Sequence, residues 1–272
     1  MRKWMLGVLA FSLLACSSLL YYPRKEKFFD PKKFNLSPED IYFSNREGTK
    51  IHGWWFESKI KPAKGTFVFF HGNAENITTH FASMAWLPES GYNYFIFDYP
   101  GYGESDGKPS PGSNVDTGRE ALHWVHENKD PNPLIVYGQS MGGAVALRVV
   151  QEVKQKTPIK VMIADGTFSS FQRIARKKMA QHWLTWLAQP FAYVVLSDQW
   201  APDVEEISPV SLIVMHGEQD RVVEFEHGER VFKDAKEPKT FISVPQGHHG
   251  DLFWVENRKY RKVILDQIEN LK

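Results

Sequence analysis

Gly138-Gln139-Ser140-Met141-Gly142-Gly143 sets a serine among glycines, directly after the apolar run Leu134–Tyr137 and directly before the apolar stretch Ala144–Leu147. A serine alcohol is a weak nucleophile until a base takes its proton, and the base needs a carboxylate to orient it. G-x-S-x-G between a strand and a helix supplies the nucleophile. The turn forces the serine into a strained backbone, the glycines relieve crowding between strand and helix, and the helix N-terminus favours negative charge beside the serine. Outside that setting the same pattern occurs by chance, as a glycine-rich turn whose serine caps a helix.

Partners for such a serine lie further along. Asp220 ends His216-Gly217-Glu218-Gln219-Asp220, after the apolar run Leu212–Met215. His248 and His249 sit in Pro245-Gln246-Gly247-His248-His249-Gly250-Asp251-Leu252, after the run Thr240–Val244. Asp165 is a rival acid, because it closes the run Val161–Ala164. The order serine, acid, histidine is one of the known orders for a Ser-His-Asp triad.

The elements that must position these residues show as a pattern. Thr66–Phe70, Tyr94–Phe97, Leu134–Tyr137, Val161–Ala164, Leu212–Met215 and Thr240–Val244 are short, nearly continuous apolar runs, as expected of strands covered on both faces. Amphipathic segments at 77–90, 113–129, 141–155, 225–235 and 251–270 predict helices between them. Alternation of this kind gives an α/β fold with a mostly parallel, doubly wound sheet. Ile41–Phe43 and Ile51–Phe56, joined through Asn45-Arg46-Glu47-Gly48, predict an antiparallel N-terminal hairpin. Residues 171–207 are too long and too apolar for a surface loop, with Trp183, Trp186, Phe191 and Trp200 among them, and predict a short helical cap.

With these blocks in place, residues 41–272 resemble the α/β-hydrolase superfamily, in particular its small esterase and depalmitoylase-like members. The resemblance rests on His71-Gly72-Asn73-Ala74-Glu75-Asn76, Phe97-Asp98-Tyr99-Pro100-Gly101-Tyr102-Gly103-Glu104-Ser105, the serine turn, and His216–Asp220 with the later histidines. It implies Ser140 as nucleophile, Asp220 as acid, and backbone N–H groups of Asn73 and Met141 as the oxyanion hole. It favours His249 over His248, because His249-Gly250-Asp251-Leu252 matches the register before the last helix, although the doublet is a departure from relatives. His71 and Asp98 are expected to brace loops, not to move protons. The activity implied is hydrolysis of carboxylic esters or thioesters with acyl-chain character. Alternatives are a peptidase of the same fold and a non-catalytic envelope lipoprotein that binds lipid or a partner.

The N-terminus carries its own signal. Met1-Arg2-Lys3 precedes an uncharged apolar run from Trp4 to Ala15, too short to span a bilayer as an ordinary helix. Leu13-Leu14-Ala15-Cys16-Ser17 resembles a bacterial lipobox, which implies a signal peptide over 1–15, lipid on Cys16, a tether over 16–40 and a location on the cell envelope. Ser17 after the cysteine favours the outer membrane over the inner. A formal net charge of +1 with no basic tract gives no polyanion-binding signature, so nucleic acid is not an expected partner. Cys16 is the only cysteine, which excludes an intrachain disulfide and a cysteine-based metal site. His248, His249 and Asp251 lack the rest of a ligand set, and no dinucleotide, flavin or metal motif is found, so no cofactor is expected.

Overall fold

The computed structural model describes residues 21–129, 133–180, 189 and 197–271. Eight strands form one sheet: β1 (Glu39–Ser44), β2 (Lys50–Phe56), β3 (Thr66–Phe70), β4 (Asn93–Phe97), β5 (Leu134–Gln139), β6 (Ile159–Asp165), β7 (Ser211–Gly217) and β8 (Lys239–Val244). Their spatial order is β8-β7-β6-β5-β3-β4-β2-β1. β1 pairs antiparallel with β2, and β2 antiparallel with β4. Every pairing from β4 across to β8 is parallel. The predicted hairpin and parallel sheet are therefore present, in the arrangement of the α/β-hydrolase fold.

Alternate residues of the central strands feed two separate cores. Val68, Phe70, Val136, Met162, Leu212 and Val214 pack on one side. Phe67, Phe69, Ile135, Tyr137, Val161, Ile163, Ile213 and Met215 pack on the other. Both neighbours of each residue are thus apolar, which is why these strands read as continuous runs. The first core is covered by α1 (Pro111–Asn128), α2 (Met141–Val153) and α4 (Phe225–Asp234) through residues such as Leu122, Val149 and Val231. The second is covered by the 77–90 segment and α5 (Lys259–Asn270), through Ile77, Phe81, Tyr260, Ile264 and Ile268. Each large side chain sealed here contributes about 1.5–3 kcal/mol.

Three expectations change in detail. The helix expected over 77–90 is a short α turn, Ile77–His80, followed by 3-10 turns at Phe81–Met84 and Pro88–Ser90. Ile77, Phe81, Met84 and Leu87 still all enter the second core, so the apolar period holds while the backbone tightens. The helix expected over 251–270 begins at Lys259, because Glu256, Asn257 and Arg258 adopt positive φ of 48°, 55° and 63°. The tether expected over 16–40 is packed on the domain from Tyr21 onward. Tyr21 and Leu36 are buried, and Tyr22–Pro23 pair in parallel with Ala74–Glu75. Polar composition concealed this, because the partners of the segment lie some 50 residues away in sequence. Of the expected cap, α3 (Phe171–Ala180), Gln189 and residues 197–207 are described, and the rest lies outside the described residues, as does Cys16.

Candidate active site

All five proposed site residues follow the carboxyl ends of parallel strands: Asn73 after β3, Ser140 and Met141 after β5, Asp220 after β7 and His249 after β8. The chain leaves β3 toward β4 on one side while β5 lies on the other, so Asn73 and Ser140 flank the point where strand order reverses. In open α/β sheets that crevice is where ligands bind.

Ser140 has φ 56° and ψ −125°, a conformation that β-carbon residues rarely adopt. Its N–H donates to the Asp165 carbonyl at 2.8 Å, and its own carbonyl accepts from the Gly143 N–H at 3.0 Å and the Thr167 hydroxyl at 2.6 Å. These bonds hold the strain. Gly142 is required next to it, because a β-carbon there would lie 2.1 Å from the Phe70 carbonyl oxygen and 2.3 Å from that of His71. The start of α2 therefore rests directly on the end of β3.

The acid and histidine loops are joined by backbone. Gln219 N–H donates to Gly247 O at 3.0 Å, and Glu218 N–H to Val244 O at 3.0 Å. Gly217 permits this approach, since a β-carbon there would lie 2.3 Å from Gly247 O. Asp220 Oδ1 accepts from the N–H groups of Val222 and Val223 at 2.8 and 2.9 Å, and its Oδ2 meets His249 Nδ1 at 2.7 Å. Burial pushes the Asp220 carboxyl up, but the His249 bond and the two N–H donors outweigh it and hold it below the usual carboxylate range. The remaining edge of Asp220 faces His216, whose Nε2 is 3.6 Å from Oδ2 and donates to Val223 O at 2.8 Å.

The two alternatives are separated in space. His248 is exposed, with its N–H on Asp251 Oδ1 at 2.7 Å and its ring 3.4 Å from Asp251 Oδ2. Asp165 lies beneath the serine turn, accepts a hydrogen bond from the Tyr137 hydroxyl, and is pushed up to about 6 by burial. The His249 ring bonds Asp220, not Asp165.

A cavity of about 590 Å³ opens over these residues, lined by Ser140, His249, Asn73, Gln139, His80 and Trp254 among others. That volume is in the range of small-molecule sites. The loop after β3 forms one wall, and a β-carbon on Gly72 would lie 3.6 Å from Ser140 Cβ. Asn73 is held by the Tyr102 hydroxyl, which donates to its carbonyl at 2.7 Å and to its side-chain oxygen at 3.0 Å, and by Tyr22 N–H on the same side-chain oxygen at 3.3 Å. Met141 is not in the lining; it is the first residue of α2, where N–H groups lack intrahelical acceptors. His71 is fully buried and outside the lining, with Nδ1 donating to Gly72 O at 2.7 Å. Burial and the neighbouring His80 hold its pKa well below the usual value, so it stays neutral and braces the loop. Asp98 Oδ1 accepts from Ile77 N–H at 2.9 Å, and its carbonyl accepts from the Ser105 hydroxyl at 2.9 Å, which ties the 98–105 loop to the 77–80 turn.

Tyr22, Glu75, His80 and Trp254 also line the cavity, and no residue pattern singled them out as site residues, although Glu75 stands in the 71–76 block. His80 Nε2 donates to Ala74 O at 2.8 Å and its ring stacks on His71 with centroids 5.0 Å apart. Among the described residues no group of three or more His, Cys, Asp or Glu side chains is placed to hold a metal ion.

A strained serine turn in this sheet, with a histidine held on a buried carboxylate beside it, defines a serine hydrolase of the α/β-hydrolase fold. Residues 61–203, just over half of the 272-residue chain, match the model of the family described as serine aminopeptidase, S33, and the chain belongs to that family. It is 34% identical over 259 residues to the uncharacterized protein YfhR of Escherichia coli K12, covering 92% of this chain and 86% of that protein. It is 24% identical over 281 residues to the lysophosphatidylserine lipase ABHD12 of Danio rerio, covering 87% and 72% of the two chains. The solved structure of the Pyrococcus furiosus esterase Pf2001 aligns with a TM-score of 0.73 at 21% identity, over 93% of this chain and 98% of that one.

Proposed function

We propose that this protein hydrolyses carboxylic esters or thioesters of acyl-chain substrates through a Ser140–His249–Asp220 triad. The observation that carries this reading is the 2.7 Å bond from His249 Nδ1 to buried Asp220, with His249 and Ser140 lining one cavity. With Nδ1–H donated to Asp220, Nε2 is the basic nitrogen. It takes the Ser140 hydroxyl proton as the oxygen attacks the acyl carbon. The carbonyl oxygen becomes an oxyanion at the N–H groups of Asn73 and Met141. His249 then returns the proton to the leaving alcohol or thiol, and an acyl-serine remains. Water repeats the sequence, losing its proton to Nε2, and frees the acid and the serine.

Acyl chains are favoured by the apolar character of the expected cap and by the activity named for the ABHD12 relative. We also place the protein on the bacterial envelope, the outer membrane in preference to the inner, anchored by lipid on Cys16 after removal of residues 1–15. Among the described residues no helix is long and apolar enough to cross a membrane. A second reading, cleavage of peptides, is favoured by the family description alone.

The test is a p-nitrophenyl ester series from acetate to palmitate beside aminoacyl p-nitroanilides, with Ser140→Ala as control. Ester turnover that rises with acyl length and vanishes in the variant supports the first reading. Anilide turnover without ester turnover supports the second. A folded chain that neither turns over substrate nor takes a fluorophosphonate label at Ser140 would exclude both and leave a binding protein.

A further inference from the structure

Among the described residues that line the cavity, Glu75 is the one carboxylate, since Asp220 of the proposed triad does not line it. Glu75 is partly buried and makes no side-chain hydrogen bond or ion pair among the described residues. Its backbone is in the left-handed region, with φ 62°. A non-glycine residue there costs about 1 kcal/mol or more relative to glycine. Neighbouring chain holds it in place: Pro23 pairs with Glu75, and Arg24 N–H donates to its carbonyl at 3.2 Å. A strained residue fixed beside the reactive serine, with its charge unmatched, is the kind of feature that a ligand completes.

The charge is not answered from within the site. No Lys or Arg is among the lining residues, and the sequence 181–196 contains no charged residue apart from His182. Arg24, whose backbone N–H bonds the Glu75 carbonyl, has its guanidinium 4.0 Å from Glu26. Arg258 and Arg261 lie over the Trp254 ring, 5.2 and 4.5 Å from its centroid, and do not line the cavity. His80 does line it and feels the Glu75 charge, but burial lowers its pKa, and its Nε2 proton is committed to Ala74 O, so it is no counter-ion near neutral pH. Only Ala74 separates Glu75 from Asn73, whose N–H is proposed to bind the acyl oxygen. Two positions of chain span at most about 7 Å, so Glu75 and the Asn73 N–H lie within reach of one small ester of a two-carbon amino alcohol.

We propose that Glu75 is a specificity-determining residue that receives a positively charged ammonium on the leaving group, so that esters of amino alcohols are preferred over neutral esters of the same shape. The proposal rests on the ester-hydrolase reading above. The exposed Tyr22 ring, also in the lining, adds an aromatic surface suited to a cation.

The probe pair is a choline ester and its 3,3-dimethylbutyl isostere, which differ only in nitrogen for carbon, with the acyl length that the p-nitrophenyl series favours. The full chain should prefer the choline ester by about tenfold in kcat/KM, an advantage that shrinks as salt rises. Glu75→Gln and Glu75→Gly should each bring the ratio to about one; the glycine variant also relieves the backbone, which guards against a folding defect. Equal turnover of the pair by the native chain, or a preference that survives both variants, overturns the proposal. Calorimetric binding of choline to the Ser140→Ala chain reads the same site without chemistry and should weaken about tenfold when Glu75→Gln is added. If that dependence holds while the native chain turns over neither ester, the hydrolase reading fails and the cation site stands. If turnover is present and choline binding ignores Glu75, the reverse is true.

Discussion

Asp220 and Asp98 are both buried carboxylates, and their surroundings send them opposite ways. Asp220 gains a histidine and two N–H donors that more than offset burial. Asp98 is fully buried, and burial pushes it up to about 7 against the opposing pull of the Ile77 N–H on Oδ1 and the Glu104 N–H. Its neighbours His71 and His52 stand 3.7 and 4.0 Å away, and the charges of Lys25 and Glu104 act on it in opposite senses. A carboxyl with a raised folded pKa binds more protons folded than unfolded between pH about 4 and 7, so its contribution to stability falls as pH rises through that window. Asp98→Asn keeps the acceptor for Ile77 and should flatten the decline in chemical-denaturation stability between pH about 4 and 7 by a few kcal/mol; an unchanged slope would show that Asp98 does not titrate there. For Asp220 the expectation concerns rate. Asp220→Asn should lower kcat by about 10³–10⁴ with little change in KM. His248→Ala should stay within about twofold of the native chain, as surface changes do; a loss equal to that of His249→Ala would reverse the assignment of the base. Ser140, Asp220 and the histidine pair were legible because chemistry restricts the residue types and the strands fix their order. Of the pair, the register before the last helix favoured His249, and the loop geometry sets His249 on Asp220 and His248 on Asp251.

At the scale of elements, the sheet was readable for the reason that it is buried on both faces: β3 and β5 are buried throughout and contain no charged residue to confuse the pattern. The segment 21–36 was not, because its structure comes from distant pairing and not from its own periodicity. Yet it bears on the site. Tyr22 N–H and the Tyr102 hydroxyl both hold Asn73, Asn76 donates through Nδ2 to the Arg24 and Glu26 carbonyls, and Gly103 N–H donates to Arg24 O at 2.9 Å. The N-terminal segment and the 98–105 loop thus clamp the loop after β3 from two sides. A chain beginning at residue 37 loses buried Tyr21 and Leu36 as well as this clamp. It should melt on the order of 10 °C lower. Tyr102→Phe is the milder test, because the ring remains and only the hydroxyl is lost. It should reduce kcat on p-nitrophenyl esters several-fold at nearly constant KM, as expected when an oxyanion donor is less well fixed. A change in KM alone would place Tyr102 in substrate binding.

For the molecule as a whole, the short interval between the proposed anchor and buried Tyr21 matters most. Cys16 and Tyr21 are five residues apart in sequence, and extended chain covers about 17 Å over that interval. Tyr22 lines the cavity, so an anchor on Cys16 would hold the mouth within about that distance of the lipid surface. The side chains around the mouth suit such a place: Tyr22, Val222 and Trp254 line it and are 63%, 49% and 43% exposed. Aromatic and aliphatic groups at a rim favour the boundary between water and lipid. With such an anchor, access from the membrane would depend on the length of the tether as well as on the presence of lipid. In proteoliposomes the full chain should hydrolyse an acyl ester embedded in its own vesicles faster than the same ester in protein-free vesicles. Inserting about 20 Gly/Ser residues after Ser17 gives a flexible spacer with an added reach of about 25 Å, and should reduce that preference while leaving turnover of soluble esters intact. Cys16→Ala should abolish lipid labelling, release the protein from membranes and remove the preference altogether. If the spacer variant keeps the full preference, the mouth does not depend on being held at the surface, and the anchor serves only to keep the enzyme on the envelope.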